Sequence, residues 1–205
     1  KDVLDDPTAL IVDLDLHFGD GTIAIYRNDP DVYHFSMHEW NNFPGNLSSG
    51  DVGYTGSGNA EGTKVNLPLE EGTTGEIYLS ALENILPKLI DESDPDILFY
   101  QAGTDPHHED HLGGLNLTLE DLYKRDSMVQ EFSEDTPIVG MTGGGYGPKA
   151  SEATINTLAA LSDQDIVFEE DELTKEEQKE GRDAERTARA RFNELTRNSE
   201  LDFFH

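Results

Sequence analysis

The sequence predicts an α/β protein: a three-layer arrangement in which a parallel sheet is covered by helices on both faces. Three observations carry that reading. Apolar runs of strand length alternate with helix-length segments along most of the chain. Several of those runs are continuously apolar, as strands buried on both faces are. They end in turns rich in Gly and Asp, and open sheets of this kind place their ligands beyond the carboxyl ends of the strands.

The first element is the run 8–15 (TALIVDLD), apolar before turning acidic, which suits a buried strand whose end emerges into a site. Asp13, Asp15 and His17 then alternate, so an extended chain points all three to one side. The turn at 19–22 (GDGT) leads into a short helix that ends near Pro30, and a second strand comes next at 32–37. Residues 38–62 show no sustained period and read as a long functional loop, with Trp40 as a packing residue within it. A strand is expected at 64–67. Thr73 and Thr74 can cap a helix through Ile77, Leu79, Leu82 and Ile85, which Pro87 should kink or divide. The apolar run 97–101 (ILFYQ) is another strand, 117–132 a helix, 137–141 a strand ending in Gly143, Gly144, Gly145 and Tyr146, and 151–161 a closing helix. From 169 to 198 the chain is mostly charged, with Leu, Ala and Phe too sparse for a full apolar stripe, and reads as a solvated helix or tail. Two parts are therefore expected, 1–163 as a catalytic domain and 164–205 as a charged helical or disordered tail.

Composition narrows the function classes. Fourteen basic residues against 43 acidic ones give a formal net charge of −29, which repels nucleic acid and anionic membranes. The acid-coated surface suits a protein kept soluble at high salt, where repulsion is screened. There are no cysteines, so disulfides and thiolate chemistry are excluded and any metal must sit on Asp, Glu or His. No apolar stretch approaches the roughly 20 residues a membrane helix needs, and no leader is visible, which makes the cytoplasm the expected compartment. The chain opens at Lys1 close to its first core strand, so an upstream portion is expected to be missing.

Asp15 and His17 at one strand end, with Asp105 at another, can form a site of two carboxylates and one imidazole that leaves a position open, as catalytic zinc requires. Spacing alone does not decide it: Asp and His at strand ends more often form turns and caps than ligate.

Residues 12–22 (VDLDLHFGDGT), 102–117 (AGTDPHHEDHLGGLNL) and 143–146 (GGGY) resemble, in order, three signatures of the histone deacetylase family. The resemblance covers roughly residues 8–161. Its AGTD wording, its LGGL turn and the subsequent Lys124, Arg125 and Asp126 look most similar to the class IV branch and its bacterial and archaeal relatives. It implies the arginase/deacetylase fold and zinc held by Asp15, His17 and Asp105. It implies that Tyr146 stabilises the oxyanion formed at an amide carbonyl and that Asp13 supports the site as a carboxylate behind the metal ligands. Gly144 and Gly145 would let an acyl-lysine chain pass close to the backbone, and Phe43 resembles the wall of the substrate tunnel. A structural K+ would contact Asp13, Asp15 and Ser36, with backbone oxygens of His17 and Met37.

The chain departs from the pattern in one respect. The family's general base is one of two adjacent histidines upstream of the DLDLH-like strand, and no such pair precedes Asp15 here. His107 and His108 form the chain's tandem pair but fall in the variable Asp105 loop, where Asp110 and the glycines at 113–114 read as loop architecture. The resemblance thus implies zinc-dependent hydrolysis of acyl-lysine or a similar acylated amine, with catalysis incomplete. The competing reading is a non-catalytic deacetylase-fold module that binds metal or a partner. A dinuclear manganese enzyme of the ureohydrolase kind would need an Asp-x-Asp pair beside the third ligand, which residues 104–109 (TDPHHE) do not offer.

Overall fold

A computed structural model describes residues 6–164, 168, 170 and 172–198. Its centre is a five-stranded sheet of β1 (Ala9–Asp13), β2 (Val32–Glu39), β3 (Lys64–Leu69), β4 (Ile97–Ala102) and β5 (Ile138–Thr142). All four ladders are parallel, and the order is β3-β2-β1-β4-β5. β1 lies in the middle, with Asp13 beside Ser36 of β2 and Gln101 of β4. The chain leaves β1 towards one edge and returns through β4 to the other, so the carboxyl ends of β1 and β4 meet at a reversal of strand order. That is where an open sheet forms a crevice.

The two faces of the sheet differ. Leu10, Val12, Phe35, Leu98 and Tyr100 share one face and join a core with α2 (Gly75–Ser93) and α3 (Leu119–Phe132). α4 (Ala150–Leu161) packs on α3. The other face carries Asp13, His34, Ser36, His38 and Lys64, and the turn entering α1 (Asp20–Tyr26) lies against Asp13 and His34. Val139 and Met141 of the edge strand β5 remain 42% and 40% exposed.

Pro87 does not divide α2, which runs as one helix of 19 residues. A proline removes one ladder bond and crowds the preceding turn. Here Leu82, Ile85, Leu86 and Leu89 are buried on both sides of it, and this packing holds the helix together. α3 begins two residues later than the apolar pattern suggests, because Thr118 and Asp121 form a capping box that fixes its start.

Lys64 shows how tightly this part of the chain is built. Its buried ammonium donates to the carbonyls of Asp29 and Val32 and to the Thr63 hydroxyl, tying β3 to the turn between α1 and β2. Burial pulls its pKa down to about 8. Beyond α4, α5 (Lys175–Asn198) lies along β3. Its Ala184, Ala188 and Leu195 are buried, and Arg191 binds Glu70 and the Pro68 carbonyl while stacking over Trp40. The charged segment is therefore a helix with a narrow small-residue face set against a sheet edge.

Candidate active site

β1 ends at Asp13, and the chain does not stay extended as the alternation of residues 13, 15 and 17 suggests but bends through 15–17, which brings Asp15 and His17 to the crevice. Each step is held by its own carboxylates: Asp13 Oδ1 accepts the N–H of Asp15, and Asp15 Oδ1 accepts the N–H of His17. Asp105 stands three residues past β4 and is fully buried, its Oδ1 accepting the N–H of Leu16. The carboxylate of one strand end thus fixes the backbone of the other.

The three groups converge. His17 Nδ1 lies 3.1 Å from Asp15 Oδ1 and 3.0 Å from Asp105 Oδ2, and the donor atoms of all three lie within 4.8 Å of one another. Two donors on a tetrahedral zinc, each about 2.0–2.1 Å away, sit about 3.3 Å apart, so these separations suit one ion. One imidazole N–H cannot serve two carboxylates, and Asp105 Oδ2 is buried without a hydrogen-bond donor. An orphaned carboxylate oxygen aimed into such a cluster calls for a cation. The residues present therefore fit a divalent metal with one imidazole and two carboxylate ligands.

The electrostatics agree. The Asp105 and Asp15 carboxylates close against Nδ1 lift the His17 imidazole to about 10, so without another cation the ring carries the positive charge itself. Burial, reinforced by Asp15, pushes Asp13 up to about 7. Burial also raises Asp105. Burial works to raise Asp15 as well, but bonds from the His17 ring and backbone and from Gly144 N–H hold it below the usual carboxylate range.

The glycine-rich turn after β5 closes the crevice. Gly144 donates its N–H to Asp15 Oδ2 at 2.7 Å and its carbonyl accepts the Thr104 N–H at 2.6 Å. A Cβ on Gly144 would stand 2.1 Å from Asp105 Oδ2, so only glycine fits. One on Gly145 would meet Thr104 Oγ1 at the same distance. Tyr146 and Phe43 flank His17 edge-on, with ring centroids 6.5 Å and 6.2 Å away, and both are largely exposed, at 51% and 72%. They form the rim above the ligands.

The remaining sequence candidates divide. Asp13 and Ser36 lie side by side, and Asp13 Oδ2 and His34 Nε2 both face the position of a Gly19 Cβ. The Ser36 hydroxyl is 2.9 Å from His38 Nδ1, and Met37 is buried in the core cluster. His107 and His108 turn away from the site. His107 Nδ1 accepts the Glu109 N–H at 3.2 Å, so its Nε2 carries the proton and donates to Glu170 at 2.8 Å. His108 Nδ1 lies 3.1 Å from Glu177. His107 and His108 bring donor atoms close to one of Glu109, yet with both ring nitrogens of His107 engaged that group is a hydrogen-bonded clamp.

Sequence reasoning passes over two participants. Asp110, taken as loop architecture, accepts the N–H groups of Tyr146 at 2.6 Å and Gly147 at 2.9 Å and so holds the turn that carries the tyrosine. Gly103 approaches within contact of Asp15, where a Cβ would stand 2.6 Å from its Cα. An Asp beside glycines is an ordinary turn signal, and only proximity to the second loop distinguishes Asp110.

A parallel sheet with an Asp-His-Asp cluster at its reversal point and a tyrosine on a glycine turn defines a deacetylase-type α/β fold. The histone deacetylase domain model matches residues 6–161, and the chain belongs to the histone deacetylase family. An uncharacterized protein of Picosynechococcus sp. is 39% identical over 139 residues, 67% of this chain and 42% of its own length. A probable deacetylase of Archaeoglobus fulgidus is 31% identical, covering 76% of this chain and 44% of its own. The structure of the histone deacetylase Clr3 superposes with a TM-score of 0.78 at 22% identity, covering 97% of this chain and 32% of Clr3, and so shares the fold. The chain spans less than half the length of the curated relatives it matches here.

Proposed function

We propose that the protein is a zinc-dependent hydrolase that removes acyl groups from acyl-lysine or a similar acylated amine. The observation that carries this reading is the convergence of Asp15, His17 and Asp105 on a point where Asp105 Oδ2 is buried without a donor. Bound there, zinc would polarise the amide carbonyl and bring the pKa of the attacking water down towards neutrality. The chain's own residues do the rest. The Tyr146 hydroxyl, on the rim beside His17, donates to the carbonyl oxygen as negative charge grows on it. Gly144 and Gly145 keep the approach narrow but free of side chains, and Phe43 supplies an apolar wall for an aliphatic chain. Asp13 holds the backbone of Asp15 in place. A K+ ion bound by Asp13, Asp15 and Ser36 with the His17 and Met37 carbonyls would offset the crowded carboxylates behind the site.

The second reading, a non-catalytic metal-binding or interaction module, is favoured by one observation. His107 and His108 are committed to Glu109, Glu170 and Glu177 and do not supply the general base. Loss of such a base costs about 10²-fold to 10⁴-fold in rate. We assign the protein to a salt-adapted cell on its −29 charge; no helix among the described residues is long and apolar enough to cross a membrane.

The test is zinc per chain, measured on protein purified in molar KCl, with Asp105→Ala as control, and then release of acetate from an acetyl-lysine peptide. One zinc, lost in the variant, together with acetate release supports the hydrolase. One zinc without turnover supports the module, and folded protein without zinc sinks both metal readings.

A further inference from the structure

Beneath the ligands, on the core side, lies a cluster built on Arg125 and Asp126, which the motif comparison names without a role and the proposed chemistry does not use. Arg125 of α3 is fully buried. Its Nε donates to Asp126 Oδ1 at 2.7 Å, and the same oxygen accepts the Tyr100 hydroxyl. Its Nη1 reaches across to two strand ends, donating to the Leu14 carbonyl at 3.2 Å and the Gly103 carbonyl at 2.8 Å.

Each of those two carbonyls stands just ahead of a candidate ligand: Leu14 precedes Asp15, and Gly103 lies two residues before Asp105. The β1–β4 ladder ends with Asp13 beside Gln101 and one further bond from Leu14 N–H to the Gln101 carbonyl. Past that bond the ladder ends and the two chains run on as separate loops, each bearing a carboxylate ligand, with the Leu16 N–H on Asp105 Oδ1 as a direct tie between them. Arg125 takes over where the ladder stops, and one rigid, planar group spans both loops.

Burying a guanidinium is costly, and well-packed apolar residues often serve a core as well or better. An apolar side chain cannot tie two carbonyls at a fixed spacing. We propose that Arg125 is the positioning residue of the site: it sets the separation of Asp15 and Asp105, and with it the affinity for a divalent ion, without touching ion or substrate. The proposal rests on the reading of Asp15, His17 and Asp105 as a metal site. Outer partners that orient ligands typically change metal affinity by about 10-fold to 100-fold when altered.

The experiment measures Zn2+ affinity by chelator competition, and the visible absorption of the Co2+ form, on the whole chain in molar KCl. Arg125→Lys keeps the charge but not the planar fork. Arg125→Met with Asp126→Leu removes both charges, so that neither is left buried alone. Leu89→Ala, a core truncation in α2, controls for lost stability. Both Arg125 variants are expected to melt cooperatively, bind Zn2+ about 10-fold to 100-fold more weakly and show altered Co2+ bands, while Leu89→Ala lowers only the melting temperature. Wild-type affinity and an unchanged Co2+ spectrum in either folded Arg125 variant would overturn the proposal. A wild-type chain that takes up no Zn2+ would overturn the metal-site reading itself, and that failure is visible before any substitution is made.

Discussion

His17 sits between two carboxylates, and the space left around that arrangement decides which residues its neighbours can be. Gly143, Gly144 and Gly103 all press against Asp15 or Asp105 so closely that a Cβ would fall within 3 Å of a carboxylate atom. Gly144 is the most constrained, since its N–H also serves Asp15. Gly144→Ala must therefore push the turn away from both ligands. Zinc affinity is expected to fall at least 10-fold while the far-UV circular dichroism stays native, because the strain is local. Chelator competition on the purified variant checks this, and unchanged affinity would mean that the turn relaxes without moving the carboxylates.

Among the elements, the segment beyond α4 is fastened to the Asp105 loop. Glu170 receives His107 Nε2 through one oxygen and caps the start of α3 at the Leu119 N–H through the other, while Glu177 at the start of α5 holds His108. Burial opposes its ionisation, but bonds from His107, His108 and Leu119 N–H draw Glu170 down to about 2 from 4.5. The bonds to Glu170 and Glu177 raise His108 above 6.5. A lowered carboxylate stabilises the fold fully above its unfolded value of 4.5, and that contribution fades as pH falls towards 2. A raised histidine stabilises fully below 6.5 and fades as pH rises past its folded value. Both contributions are complete between pH 4.5 and 6.5. Glu170→Gln keeps the shape but not the charge. The melting-temperature gap between wild type and this variant should be widest in that window and close towards pH 2; a gap independent of pH would show that the charge contributes nothing.

For the molecule as a body, a net charge of −29 on 205 residues is a long-range force against compactness. Salt screens it, with a Debye length of about 10 Å at 0.1 M falling to about 3 Å at 1 M. The melting temperature, read by circular dichroism, is expected to rise steadily between 0.1 M and 1 M KCl. A flat or falling curve would remove the argument for salt adaptation.

The order of strands and helices was legible along the chain because each carries its own period. Runs such as ILFYQ before AGTD announce a buried strand and its exposed end without reference to anything distant. Asp15, His17 and Asp105 were legible as candidates through the three ordered motifs, since carboxylates and imidazoles at strand ends by themselves more often cap and turn than ligate. What the sequence could not show is which distant groups meet. Pro87 sits inside an unbroken α2 because four buried neighbours outweigh one lost hydrogen bond. Asp110 proves to hold the Tyr146 turn, Arg125 to span the Leu14 and Gly103 carbonyls, and Glu170 to engage His107, contacts that join residues far apart in the chain. Local propensity and periodicity act over a few residues, whereas the pairing of a buried charge or an orphaned N–H is settled only when the chain has closed around it.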